Sequence, residues 1–396
     1  MYDVTIIGGG IVGLATAYQL LIRHPNVKII VLEKEDNIGK HQTGHNSGVI
    51  HSGIYYKPDT LKAKNCLKGK DSLIKFCKNF GVKYEICGKL IIATQKRELD
   101  SLKMLYKRGK ENGISNLKLL SKDEISEVEP FASGISAILC PTTGIIDYLH
   151  LCKALSDIIT AKSEISLNQK VVDIVSKQNE ISIITETSII KSRYLINCAG
   201  LFSDKIAKMA KINLKEKIIP FRGEYYLLKN NAKKLIKNLI YPVPDSRYPF
   251  LGVHFTRSIH NEIEAGPNAV LAFAREGYHK TDINFKDISD YLLYKGFWKM
   301  ASKYWKTGLG EFHRSISKKS FVKSLQKLVP SIKEDDLDIS PAGVRAQAIN
   351  QKGDLIDDFV IRKIDNMIHV INAPSPAATS SLAIGSYIVN FLDGLD

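Results

Sequence analysis

The sequence predicts an α/β protein: a Rossmann-like nucleotide-binding domain interleaved with an α+β domain built on an antiparallel or mixed sheet. Three observations carry this. Residues 3–33 form a complete strand–glycine loop–helix–strand unit, residues 193–200 read as a second buried strand running into a glycine turn, and strand-rich inserts separate the pieces of nucleotide-domain pattern. In the first unit, Asp3-Val4-Thr5-Ile6-Ile7 is a buried strand, and Gly8, Gly10 and Gly13 follow it as G-x-G-x-x-G, with Ile11 and Val12 between them. Gly8 permits the sharp turn, Gly10 lets backbone approach a pyrophosphate, and Gly13 lets helix and sheet pack closely. The helix continues from Leu14 to Ile22, and its unpaired N–H groups and positive dipole end favour phosphate. Lys28–Leu32 is the next strand. Glu33 closes it at the spacing where a carboxylate accepts from ribose hydroxyls and repels a 2′-phosphate, with Lys34 beside it at the same adenosine end.

The bulk composition narrows the classes. A chain of 396 residues exceeds one ordinary core, so two domains are expected. With 44% hydrophobic and 24% charged residues it is a globular composition, and no apolar run reaches a membrane span. Met1-Tyr2-Asp3 lacks the basic start of a secretory signal, so the expectation is a cytoplasmic protein. The six cysteines (66, 77, 87, 140, 152 and 198) have no C-x-x-C or zinc spacing, which predicts reduced thiols and no metal. The formal net charge of +15 suits an anionic substrate or an anionic membrane face. No nucleic-acid motif accompanies it, so nucleic acid is not an expected partner.

Further along, residues 61–80 have helical spacing, Lys89–Thr94 reads as a strand, Glu98–Asn112 as a charged helix and His150–Lys162 as another helix. Two alternating runs, Lys170–Val175 and Ile181–Ile184, precede Arg193–Gly200 and a helix from Ser203 to Ala210. Tyr225–Leu228, Phe250–Phe255 and Ala269–Ala274 carry strand pattern, and residues 287–330 read as helical. Met367–Asn372 is a strand, Pro374–Ser381 a turn and Leu382–Phe391 a closing helix. These pieces place a nucleotide domain in 1–80, 140–215 and 335–396, and a substrate domain in 81–139 and 216–334.

Two segments point beyond a generic dinucleotide. The loop from His41 to Tyr56, containing Thr43, Gly44, Asn46, Ser47 and Gly48, is too rich in small polar residues to be core. It suits a wrap around a pyrophosphate and the flat edge of a flavin. Its histidines at 41, 45 and 51 cross glycines and share no regular face, which argues against a metal. At the other end Pro374 and Pro376 stiffen a turn, after which Ala377-Ala378-Thr379 opens a helix; a helix N-terminus there would stabilise an anionic reduced flavin. An NAD enzyme needs neither segment, so the sequence favours FAD.

These stretches, with Asn197-Cys198-Ala199-Gly200, Pro220–Tyr226, Gly343-Val344-Arg345-Ala346-Gln347, Tyr304–Glu311 and Asn372–Ser381, resemble the D-amino-acid-oxidase-like FAD oxidoreductases, and within them the branch acting on L-2-hydroxyglutarate. The resemblance runs from residue 3 to about 390. It implies FAD as cofactor, oxidation of L-2-hydroxyglutarate to 2-oxoglutarate, and a membrane quinone or oxygen as electron acceptor. It also implies that Val172 lies beside the adenine through its backbone, that Ala199 and Gly200 line the nucleotide, and that Gly343 belongs to the cofactor site. Related oxidoreductases acting on another hydroxy acid, glycerol 3-phosphate or an amino acid remain the alternative, as does a non-catalytic flavin protein.

Oxidising a 2-hydroxy acid needs a base for the hydroxyl proton and cations for the carboxylates. Histidine is the natural base, and the candidates are His51, in the flavin-edge loop, and His254, in Leu251–Thr256. His51 could instead position or covalently attach the flavin. For the carboxylates the planar fork of arginine is best. Arg345, in a glycine-flanked turn where the domains should meet, leads; Arg222, Arg257 and Arg275 are weaker, and Tyr55 is a further substrate-binding candidate. Finally, residues 291–306 interleave aromatics with lysines, a pattern suited to peripheral contact with the cytoplasmic face of an inner membrane.

Overall fold

The computed structural model describes residues 1–178, 180–245, 251–392 and 395. Among the described residues an eight-stranded sheet carries the nucleotide unit. Tyr2–Ile7 lies at its centre, parallel to Ile29–Leu32 on one side and Ile189–Asn197 on the other. Glu164–Ser166 extends the sheet beyond Ile29–Leu32, and Met367–Asn372 pairs in parallel with Ile189–Asn197. The near-continuous apolar runs of these strands follow from burial on both faces. Val4, Ile6, Ile29 and Val31 pack under helices Ile11–Arg23, Tyr148–Thr160 and Ser381–Val389. Ile7, Ile30, Leu32 and Leu195 point the other way, toward the hairpin of Val171–Lys177 with Glu180–Thr185 and helix Ser203–Met209.

The second sheet has nine strands among the described residues. In order they are Val270–Leu271, Lys217–Leu228, Ile263–Gly266, His254–Arg257, Leu239–Pro242, Lys89–Ala93, Ser136–Cys140 and Lys118–Leu120, with Leu337–Ile349 paired along Lys217–Leu228. This corrects the boundary at residue 335: residues 337–349 belong to this sheet, and the nucleotide sheet resumes only at Val360. The strand expected at Tyr225–Leu228 is the end of a twelve-residue one. Pro220 has no N–H to donate and the register shifts between Gly223 and Tyr225, so the pattern looked broken in sequence. Of the expected strand 250–255, Phe250 lies outside the described residues, and the observed strand begins at His254. A three-stranded sheet of Val49–Ile50, Gly144–Ile146 and Tyr84–Glu85 lies beside the two. No helix among the described residues is long and apolar enough to cross a membrane.

The arrangement positions a site in one step. The chain leaves the carboxyl ends of the parallel strands at Gly8, Glu33, Cys198 and Ala373, and all four residues line one cavity. On its far side Tyr225, Tyr241, His254 and Arg345 come from the larger sheet.

Candidate active site

The cavity has a volume of about 1210 Å³, enough for a dinucleotide and a small acid. Its first end is the glycine turn. Gly8 adopts φ +114°, and a Cβ there would lie 2.5 Å from the Cys198 carbonyl oxygen; a Cβ on Gly13 would lie 2.0 Å from the carbonyl oxygen of Gly8. Gly13 therefore packs helix to strand without lining the cavity, whereas Gly8, Gly10, Ile11 and Val12 line it. The Ile11 N–H donates to Thr43 Oγ1 (3.1 Å), which ties the His41–Tyr56 loop to the start of the helix. Glu33 is buried, and its two oxygens accept from the N–H groups of Gly9 (2.7 Å) and Glu35 (3.0 Å).

Beside Glu33, Lys34 pairs with both Glu35 and Glu276, and His41 Nε2 lies 3.0 and 3.1 Å from the same carboxylates. Glu35, His41 and Glu276 have the donor types of a cation site, and the Lys34 ammonium supplies positive charge to it. That charge holds the Glu35 carboxyl down at about 2. His41 Nδ1 reaches the Tyr278 hydroxyl (2.8 Å), and His45 stacks on the Tyr278 ring at 4.4 Å, so these two histidines join the domains and leave His51 as the loop's base candidate.

Thr43, Asn46 and Ser47 line the cavity, while Gly44 and Gly48 pack against the carbonyls of Gly39 and Ile146 and shape the loop from behind. Ala199, Gly200 and Gly343 line it as well. Val171 lines it too, and a register irregularity between Val171 and Asp173 leaves the side chain of the next residue, Val172, 42% exposed.

At the C-terminal turn, Pro376, Ala377, Ala378 and Thr379 line the cavity. The helix expected to open at Ala377 starts instead at Ser381, because Pro374–Ser380 forms consecutive turns (Ala377 N–H to Pro374 O and Ser380 N–H to Pro376 O, both 2.9 Å). The amides of Ala378 and Thr379 are not used by those turns. Thr379 Oγ1 accepts from the His51 N–H (3.0 Å) and meets the Tyr148 hydroxyl (3.0 Å), fastening the turn to the loop that carries His51.

The far end of the cavity holds His51, Tyr55, Tyr225, Tyr241, His254 and Arg345. His254 donates from Nδ1 to the Gly252 carbonyl (2.9 Å), a group that only accepts, so Nε2 carries the lone pair. Its ring lies against Tyr241 with centroids 3.9 Å apart. Burial lowers its pKa to about 3, and the charges of Arg345 and Lys89 act the same way. His51 Nε2 is 3.2 Å from Ser375 Oγ, and burial also lowers its pKa to about 3, aided by Lys89, His254 and Lys62. Both imidazoles are therefore neutral. Arg345 bonds the Tyr225 hydroxyl, opposite Phe221 in the strand pairing.

The other arginines are corrected. Arg222 is buried on Glu224 (3.0 and 3.2 Å) and the His279 carbonyl (3.0 Å). Arg257 pairs with Glu85 (3.0 Å), and Arg275 is buried among Asp204, Asp287 and Asp290. Each already has a carboxylate partner, and none lines the cavity. Sequence reasoning passed over Tyr225, Tyr241 and Lys89. The only signal was Lys89, a lysine opening the apolar strand Lys89-Leu90-Ile91-Ile92-Ala93.

Comparison with known proteins matches residues 3–391 to the family of FAD dependent oxidoreductases. The chain is 52% identical over 390 residues to L-2-hydroxyglutarate dehydrogenase of Indibacter alkaliphilus, covering 98% of each. It is 45% identical to the mitochondrial L-2-hydroxyglutarate dehydrogenase of Homo sapiens, covering 98% of this chain and 88% of that one. Its fold is similar to dithionite-reduced L-alpha-glycerophosphate oxidase from Mycoplasma pneumoniae with FAD bound, at TM-score 0.82 and 23% identity over 99% of this chain and 95% of that one.

Proposed function

Since the chain belongs to the FAD dependent oxidoreductase family and is an FAD-dependent dehydrogenase or oxidase, we propose that its reaction is the oxidation of L-2-hydroxyglutarate to 2-oxoglutarate. The observation that carries this reading is the meeting of Arg345 with two neutral imidazoles, His51 and His254, at the end of the cavity away from the glycine turn. FAD fits the residues present. Gly8, Gly10, Ile11 and Val12 suit its pyrophosphate, and the Ala378 and Thr379 amides suit an anionic ring edge. Bound FAD supplies the two-electron acceptance that breaking the substrate's Cα–H bond requires.

The chain's own residues do the rest. Arg345 holds a substrate carboxylate through its planar fork and is fixed by the Tyr225 hydroxyl. The hydroxyl proton goes to a histidine: Nε2 of His254 has its lone pair available, and His51 faces the same space. Tyr55 and Tyr241 wall the site with rings, which excludes water from the developing carbonyl. The electrons pass on to a quinone or oxygen. A quinone route is supported by helix Lys295–Ile316, whose Trp298, Trp305, Leu309 and Phe312 are exposed, a surface suited to peripheral contact with the cytoplasmic face of a membrane.

The test is anaerobic bleaching of the bound flavin. L-2-Hydroxyglutarate should bleach it, while D-2-hydroxyglutarate, malate, glycerol 3-phosphate and amino acids should not. Bleaching by one of the others alone transfers the assignment to that substrate. A flavin that none of them bleaches contradicts catalysis on small acids. In the same assay, H51A or H254A should slow single-turnover reduction, and the slower variant identifies the base.

A further inference from the structure

Lys89 opens an interior strand, flanked by Ser136–Cys140 on one side and Leu239–Pro242 on the other. It is 1% exposed, and its Nζ has no hydrogen-bond partner among the described residues. The ammonium sits over two rings instead, 4.5 Å from the centroid of Tyr55 and 4.8 Å from that of Tyr241. Both tyrosines line the cavity, Tyr241 lies against the His254 ring, and the Tyr55 hydroxyl is itself buried without a partner among the described residues. The titratable groups around Lys89 are the thiols of Cys66 and Cys140, the two phenols, and the imidazoles of His51 and His254. No described carboxylate pairs with it. A buried cation costs several kcal/mol unless something compensates it, and two aromatic faces offset only part of that.

We propose that Lys89 is a countercharge kept for the substrate: held behind Tyr55 and Tyr241, its ammonium is completed electrostatically by a dianion entering the cavity. It is a positioning residue, acting through the two rings and touching no reacting atom. After burial itself, the same charge also helps keep His51 and His254 unprotonated. Burial lowers the pKa of Lys89 to about 8. The attraction is therefore present below pH 8 and lost as pH rises through it.

The inference rests on a dicarboxylate substrate, and the test separates the two. Wild-type holoenzyme is first assayed with L-2-hydroxyglutarate; lack of turnover there defeats the proposed function and not the role of Lys89. Glutarate, a dicarboxylate with no oxidisable hydroxyl, is then titrated from pH 6 to 10 and read by the change in flavin absorbance. A buried unit charge at an effective dielectric of about 20 is worth on the order of ten-fold in an anion's affinity. Wild type should lose glutarate affinity as pH rises through 8. Lys89→Met should bind roughly ten-fold more weakly at pH 7 with no such pH step, and its KM for substrate should rise more than its kcat falls. Its thermal midpoint should hold or rise, since an unpaired buried charge is gone. Lys89→Gln serves as the second variant should Lys89→Met fail to fold. Wild-type-like glutarate binding and pH dependence in either folded variant overturns the proposal.

Discussion

At the scale of single residues, strand register separates Arg345 from the arginines it resembles in sequence. Arg345 stands opposite Phe221 and Arg222 opposite Val344, so the two guanidiniums leave opposite faces of one strand pair. Arg345 lines the cavity, whereas Arg222, on the other face, is occupied by Glu224. Sequence could name arginine as the candidate carboxylate ligand, but not the face, because that depends on pairing between strands more than a hundred residues apart. The histidines show the same limit. Their chemistry was legible, whereas the burial that keeps them neutral is a tertiary property. Replacing Arg345 by Lys keeps the charge and loses the fork. Steady-state kinetics of R345K should show KM for the dicarboxylate raised about ten-fold or more with FAD content intact. Wild-type kinetics in that variant would remove Arg345 from the site.

At the scale of elements, the glycine turn was fully legible because its constraint is local. Strand, turn and helix must meet within a few residues, and a Cβ at Gly13 leaves no room for the Gly8 carbonyl. The C-terminal turn was legible as a cavity wall and misread as a helix, since prolines and small residues suit consecutive turns as well as a helix start. The irregularity between Val171 and Asp173, which turns the Val172 side chain out to solvent, was not legible, because no local signal marks it. Two glycines make a paired prediction. Gly13→Ala should yield protein without flavin or no soluble protein, read from the flavin-to-protein absorbance ratio. Gly308 lies in helix Lys295–Ile316 with nothing within 4 Å of its missing Cβ, so Gly308→Ala should keep full flavin content. It should also gain roughly 0.5–1 kcal/mol, seen as a higher thermal midpoint. Equal flavin content in the two variants would contradict the packing role given to Gly13.

For the molecule as a whole, interleaving of two domains was visible in sequence, but the ownership of residues 337–349 was not, since their partner strand lies at 217–228. The proposed membrane face is likewise a whole-molecule property, assembled from segments that sequence showed only in part. The lysine–aromatic pattern was read over 291–306, yet the exposed apolar surface reaches from Phe285 and Leu293, 81% and 86% exposed, through Trp298 and Trp305 to Leu309, Phe312 and Ile316. Helix Lys295–Ile316 is held along one face, where Phe297 and Met300 are buried, Tyr304 packs on their cluster and Glu311 accepts from the Ala269 N–H, while Trp298, Trp305, Leu309, Phe312 and Ile316 are exposed. Contiguous apolar surface on this scale is costly in water unless something covers it. Lysines 295, 299, 303 and 306 on the same helix, with a net charge of +15, favour an anionic bilayer as the covering surface. Flotation with vesicles containing anionic lipid at low salt should carry the protein upward. Salt should weaken the association as the Debye length shortens. Joint replacement of Trp298 and Trp305 by Ser should abolish it while the flavin and the bleaching reaction stay intact, because neither side chain lines the cavity. A wild-type protein that never floats at low salt leaves this face to another partner and oxygen as the simpler acceptor.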